Sequence, residues 1–276
     1  MLVELAIGDA YGAGFEYAAP EFVRRGNTLS GYVQHPRHRD VLPGRYTDDT
    51  QMSVAVAEWL LGGTLTREDL AERFVRAYHR DPRAGYASGF RSVLDRVNDG
   101  AELLATLRPG SDKSGAAMRA GVLGLLPDLG EIRRLTTLQA KITHDSPGGV
   151  AAALGAAYAV HYCRHRVGPV AGLPRWLAEN VPAPAPYGRW TEPWRGKVGS
   201  PGMHSARAAV TALARCRKLS ELLADCVAFT GDVDTVATIA LAAASVSGEY
   251  ERDVPEPLLV GLESEAYGRA FLAGLD

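Results

Sequence analysis

Apolar positions in this chain recur at helical spacing. Met52, Val56, Trp59 and Leu60 fall at i, i+4, i+7 and i+8, lining one face of a helix that begins within GRYTDDTQ, residues 44 to 51. An apolar helical pattern in ELAIGDAYGAGFE, residues 4 to 16, breaks just before Glu16. In TREDLAERFVRAYH, Leu70, Phe74 and Tyr78 recur at i+4, with Thr66 as the cap and Asp69 completing a capping-box pattern. Phe90, Val93, Leu94 and Val97 mark a further helix. Additional runs are expected near 115–126, 131–142, 147–165, 204–218, 220–229, 234–247 and 256–273. No stretch alternates with period two for long enough to argue for a sheet. The pattern predicts an all-α fold, one bundled or orthogonal multi-helix domain over residues 1–276.

The segment from Gly168 to Gly202 departs from this pattern. It holds seven of the 16 prolines and three of the four tryptophans, Trp176, Trp190 and Trp194, and is expected to be an irregular loop insertion rather than a regular helix. Its aromatic side chains either face a ligand or pin the loop onto the core.

Composition narrows the function classes. A chain of 276 residues, 46% hydrophobic and 22% charged, is long enough for a substantial core. A net charge of −2 without basic runs gives no electrostatic footprint for nucleic acid. The N-terminal stretch MLVELAIGDAYG lacks the basic and long apolar regions of a secretory signal, and no apolar run reaches the roughly 18 residues that span a membrane. A cytoplasmic monomer is the expectation. Cys163, Cys216 and Cys226 are odd in number and lie in apolar helical contexts, as small buried thiols do. His161, Cys163 and His165 form an HxCxH cluster, but on one helix the cysteine points away from the two histidines, which argues against zinc.

The chemistry concentrates at two helix starts. Thr47, Asp48 and Asp49 precede one apolar run, and TGDVDTVATIA, residues 230 to 240, sets Asp232, Asp234 and Thr235 ahead of another. Thr and Asp are good N-caps, and negative charge is favoured at a helix N-terminus, so capping is one explanation. A cap needs only one such residue, however, and here the same set of two carboxylates and a hydroxyl occurs twice. Together they form an all-oxygen set suited to Mg²⁺, Mn²⁺ or Ca²⁺ rather than Zn²⁺. Four converging carboxylates repel unless neutralised, and two divalent ions balance that charge.

Three other stretches are ambiguous. Glu16 reads on its own as a solvated carboxylate. SDKSGAAMR, residues 111 to 119, is either an anion-holding helix start or a turn capped by Asp112 or Ser114. His144, in THDSP, reads as a hydrogen-bonded loop residue.

GDAYGAGFE, GRYTDDTQM, SGAAMR, THDSP and GDVDTVATIA together, in this order and approximate spacing, resemble the ADP-ribosylglycohydrolase family across nearly the whole chain. The resemblance implies an all-helical domain with two Mg²⁺ ions, or Mn²⁺, in a central cleft, hydrolysing the bond between ADP-ribose and an acceptor. By the same resemblance Thr47, Asp48, Asp49, Asp232, Asp234 and Thr235 are metal ligands. Asp48 and Asp234 then also serve catalysis. Glu16 is the carboxylate facing the scissile bond, Ser114, Gly115, Ala116 and Met118 lie along the diphosphate and ribose, and His144 is near the ligand. Thr230 stands where the family pattern has glycine, and Ser114 where it has asparagine. The alternatives are a two-metal phosphohydrolase on a nucleotide-like substrate and a non-catalytic ADP-ribose-binding module.

Overall fold

The computed structural model describes residues 1–275, and among them no β-strand forms; only isolated bridges such as Val198 with Gly231 occur. Helices account for the core, as the apolar spacing predicts. Three run through its centre: Leu2–Ala13, Pro147–Arg164 and Val233–Ser245. All three are buried along most of their length, and small residues, alanine above all, recur on their buried faces. Small side chains let helix backbones approach closely, so dispersion contacts are made by main chain as well as side chain.

That closeness positions the chemistry. Leu2–Ala13 lies along Val233–Ser245, and a Cβ added at Gly12 would stand 2.4 Å from the Asp234 Cα. Glycine is required there by the contact, and the contact is with a predicted ligand residue. The helix Asp48–Gly62 packs against the same N-terminal helix. The two acidic helix starts are therefore gathered around the C-terminal end of Leu2–Ala13, which runs out just before Glu16.

Local predictions hold with informative exceptions. Thr66 caps Arg67–Arg80 by accepting from the Asp69 amide at 3.2 Å, while the Asp69 carboxylate accepts from the Thr64 amide at 2.8 Å. The expected run 115–126 divides into Gly115–Met118 and a 3-10 turn, Gly121–Leu125. The expected run 256–273 divides into Glu256–Gly261 and Arg269–Leu275.

The segment 168–202 contains a regular element after all, the eight-residue helix Leu173–Asn180, with Pro174 tolerated in its first turn, where no intrahelical N–H is required. Its tryptophans are pins. Trp190 is buried and donates to the Val181 carbonyl at 2.7 Å, Trp176 packs on Tyr158 and Tyr162, and Trp194 packs on His204. Cys163 and Cys226 are buried free thiols and Cys216 is half-buried. No helix among the described residues is long and apolar enough to cross a membrane.

Gly12→Ala is expected to force the two helices apart, lowering stability by about 1–3 kcal/mol and moving Asp234. Urea denaturation together with a divalent-cation titration checks this. Unchanged values in both would show that the contact has room to spare.

Candidate active site

Capping does not explain either acidic helix start. Thr47 and Asp232 occupy the N-cap positions of Asp48–Gly62 and Val233–Ser245, yet neither side chain makes a cap hydrogen bond. Thr47 instead donates from its hydroxyl to Asp9 Oδ1 at 2.7 Å, and Asp232 Oδ2 accepts from the Ser205 hydroxyl at 2.6 Å. The Asp232 carboxylate is thus turned from its own helix, while Asp48 keeps a bond to its own amide.

Asp9 is fully buried and accepts four hydrogen bonds. The Thr47 amide (2.9 Å), Thr47 hydroxyl (2.7 Å), Thr50 amide (3.0 Å) and Thr50 hydroxyl (2.6 Å) all point at it. A buttress of this kind fixes the first turn of Asp48–Gly62 and turns the Thr47 oxygen lone pairs away from Asp9. The sequence reading assigned Asp9 no role. The available signal was a carboxylate set among glycines in an otherwise apolar helix, which must find several donors if buried.

The second start is shaped by a strap. Val198 donates its amide to the Thr230 carbonyl at 2.9 Å, and its carbonyl accepts from the Asp232 amide at 3.2 Å. Thr230 adopts φ +63°, a left-handed conformation that costs a β-branched residue more than glycine. The neighbouring Gly231 carbonyl accepts from the Tyr17 amide at 2.8 Å, tying this loop to the Glu16 turn. On the other side of that turn, His35 Nδ1 accepts from the Arg37 and His38 amides, so Nε2 carries the proton and donates to the Glu16 carbonyl at 2.8 Å.

These elements enclose one cavity of about 580 Å³, a volume suited to a nucleotide-sized ligand. Glu16, Asp48, Asp49, Asp232, Asp234 and Thr235 all line it. Carboxylate oxygens of Glu16, Asp232 and Asp234 lie within 4.8 Å of one another. Glu16 is half-buried at this wall rather than a free surface carboxylate. Thr47 lies just behind the wall, held by Asp9. Ser114, Gly115, Met118 and His144 also line the cavity, whereas Ala116 sits beneath it with its carbonyl accepting from Gln139. Neither Asp112 nor Ser114 caps the short helix: Ser114 makes no cap bond, and Asp112 accepts from the Tyr187 hydroxyl. Phe90, Val93 and Leu107 add apolar side chains to the lining, and Arg108 and Lys113 add basic ones.

Burial is the main electrostatic fact here. It raises every carboxyl on the floor, and mutual repulsion adds to it: Asp48 and Asp49 are pushed well up with help from Asp9, and Asp234 with help from Glu16 and Asp49. Asp232 is raised by burial against hydrogen bonds led by Ser205. Glu16 is pushed up to about 8 by burial, then by Asp232 and Asp9. No Lys or Arg salt bridge reaches these groups among the described residues. Asp49 Oδ2 and Asp234 Oδ1 are moreover buried without a hydrogen-bond partner. An all-oxygen set with unpartnered buried lone pairs and excess negative charge fits hard divalent cations.

The sequence profile of the ADP-ribosylglycohydrolase family matches residues 1–274. ADP-ribosylhydrolase ARH3 of Xenopus tropicalis is 27% identical over 326 residues, covering 96% of this chain and 90% of that protein. ADP-ribosyl-(dinitrogen reductase) glycohydrolase of Rhodospirillum rubrum is 31% identical over 166 residues, which is 57% of this chain and 54% of that one. ADP-ribosylhydrolase ARH3 of Mus musculus is 31% identical over 171 residues, 56% and 45% of the two chains. These last two matches span about half of the relatives' own length. A solved structure described as an ADP-ribosylglycohydrolase-related protein complex superposes with a TM-score of 0.75 at 23% identity, over 99% of this chain and 93% of that one, a likeness of fold.

Raised carboxyl pKa values mean that the folded protein binds protons which the unfolded chain releases. Without cations, this contribution leaves stability intact below pH 4.5 and removes it as pH rises through about 8 for Glu16. Cations compete with those protons. Mg²⁺ is therefore expected to raise Tm by roughly 5–10 °C at a hundredfold excess over Kd, with a gain that grows as pH rises across this window. Thermal melts with Mg²⁺ and with EDTA measure it, and a Tm indifferent to Mg²⁺ at every pH would contradict it.

Proposed function

The chain belongs to the ADP-ribosylglycohydrolase family, and from that premise we propose that it hydrolyses the glycosidic bond joining ADP-ribose to an acceptor by using divalent cations held on Asp48, Asp49, Asp232 and Asp234. It is an enzyme of the ADP-ribosylglycohydrolase class, a hydrolase of ADP-ribose linkages. The observation that carries the mechanism is the convergence of two distant acidic helix starts on one cavity floor with buried, unpartnered carboxylate oxygens. Mg²⁺ suits that floor, Mn²⁺ is the alternative, and two ions balance four carboxylates. Thr235 and the outward lone pairs of Thr47 complete the ligand set. When bound, the ions supply the charge that orients ribose hydroxyls and water.

The protein's own groups do the rest. Cleavage at a ribosyl carbon passes through an oxocarbenium-like state, in which positive charge develops beside Glu16 and the floor. Glu16 handles the proton, as acid toward the leaving group or base toward water. Its burial at the wall opposes ionisation and favours the acid role, while bound cations would pull toward the ionised base. The turn at Ser114, Gly115 and Met118 borders the diphosphate and ribose, with His144 beside it. The apolar side chains of Phe90, Val93 and Leu107 suit a nucleobase, and Arg108 and Lys113 offer cations to phosphate. Asp9 holds the floor in register through Thr47 and Thr50.

A two-metal phosphohydrolase would draw on the same ligand types, and product identity separates the readings. Mass spectrometry after incubation with Arg-, Ser- and DNA-linked ADP-ribose is expected to find free ADP-ribose; inorganic phosphate or a nucleoside monophosphate would overturn the assignment. Asp234→Ala is expected to abolish Mg²⁺ binding and turnover together. Glu16→Gln is expected to retain ADP-ribose binding while turnover falls about 10²- to 10⁴-fold. Unaltered turnover in that variant would remove Glu16 from the proton-handling role.

A further inference from the structure

His144 stands on the cavity wall, only 8% exposed, at the C-cap of the helix Leu129–Thr143. The preceding residue, Thr143, is equally buried and touches it: Thr143 Oγ1 and His144 Nδ1 are 2.6 Å apart. Arg119 reaches the same oxygen from just after the short helix Gly115–Met118. Its guanidinium donates to Gln139 Oε1 at 2.7 Å, to the Gln139 carbonyl at 3.1 Å and to Thr143 Oγ1 at 2.7 Å, with Phe74 beneath it.

The direction of the chain of bonds follows from donor chemistry. A guanidinium only donates, so the Thr143 oxygen accepts from Arg119. The hydroxyl then has one proton to give, and among the described residues its sole acceptor is His144 Nδ1. If Nδ1 carried the imidazole proton instead, the Thr143 proton would have no protein acceptor among the described residues and could turn only to the cavity that Thr143 borders. Nδ1 therefore accepts, and the proton sits on Nε2. Burial, reinforced by the Arg119 and Lys113 charges, pulls the imidazole down to about 3, so the ring stays neutral. Nε2 has no protein hydrogen-bond partner among the described residues. It lies toward Gly115, where an added Cβ would stand 3.2 Å away, so the glycine keeps that side of the ring open.

We propose that Arg119 and Thr143 are positioning residues that lock His144 as the neutral Nε2–H tautomer, so that it offers one hydrogen-bond donor to an oxygen of the bound ADP-ribose. The identity of the ligand rests on the functional reading above; the lock rests on the relay. The opposite tautomer would present a lone pair instead, which repels a phosphate oxygen and leaves only a hydroxyl able to bond, as donor. Without the relay, the ring divides its population between the two forms, and only one donates.

Long-range ¹⁵N–¹H spectra of histidine-labelled protein, with the His144 signal assigned by its loss in His144→Ala, are expected to find protonated Nε2 and bare Nδ1 at neutral pH. Thr143→Val is expected to mix the tautomers and weaken ADP-ribose binding about two- to fivefold by calorimetry, as the fraction in the donating form falls, raising KM more than it lowers kcat. Thr143→Ser is expected to restore both the spectrum and the affinity, which a merely structural loss would not predict. A wild-type proton on Nδ1, or a Thr143→Val protein that binds ADP-ribose as the wild type does, overturns the proposal. Absence of ADP-ribose release by the wild type strikes the functional reading alone and leaves the tautomer spectrum standing, so the two failures are distinguishable.

Discussion

Uncompensated negative charge, held out of water, is the constraint around which this molecule is arranged. Glu16, Asp48, Asp49, Asp232 and Asp234 share one cavity, with Asp9 behind them, and no basic side chain pairs with any of them among the described residues. Desolvation and mutual repulsion both oppose ionisation there. Such a cluster persists in a fold only if the surrounding structure over-determines it or if something positive joins it. The helical scaffold supplies the first condition, and the donor set is suited to the second.

The scaffold works by taking away local solutions that a carboxylate would otherwise adopt. An aspartate at a helix start normally bonds its own amides. Here Asp9 occupies the amides of Thr47 and Thr50, and Ser205 occupies Asp232. Asp48 keeps a bond to its own amide, and oxygens of Asp49 and Asp234 are left buried without a partner. Close backbone approach at Gly12 brings the second start against the first helix, and the Glu16 turn is tied to both sides by Tyr17 and His35. Packing density and site geometry are thus the same fact seen at two scales.

How much of this was legible in the chain depends on the range of the interaction. Helical periodicity is local, so most helices, the Thr66 cap and the absence of long strands could be read directly. The pairing of two acidic helix starts could also be read, because the repeated residue set itself was unusual. Asp9, Ser205 and the Arg119–Thr143–His144 relay were not legible as a system. Each is a buried polar contact between elements that meet only after packing, and no spacing rule encodes it. Leu173–Asn180 is hidden by a proline content that argues against helix, whereas proline is accommodated in a first turn. Ala116 was grouped with its neighbours although alternate residues of a tight helical turn face opposite ways.

Val198 belongs to the Pro- and Trp-rich stretch, yet it grips the loop that carries Asp232 by both its amide and its carbonyl. The geometry of a buried acidic floor is thereby mortgaged to a peripheral ribbon that contributes no carboxylate of its own to that floor. Damage or insertion on the outer side of that ribbon would be transmitted inward along two main-chain bonds. A change in that ribbon can therefore shift the loop that carries Asp232 while every charged residue in the pocket stays the same.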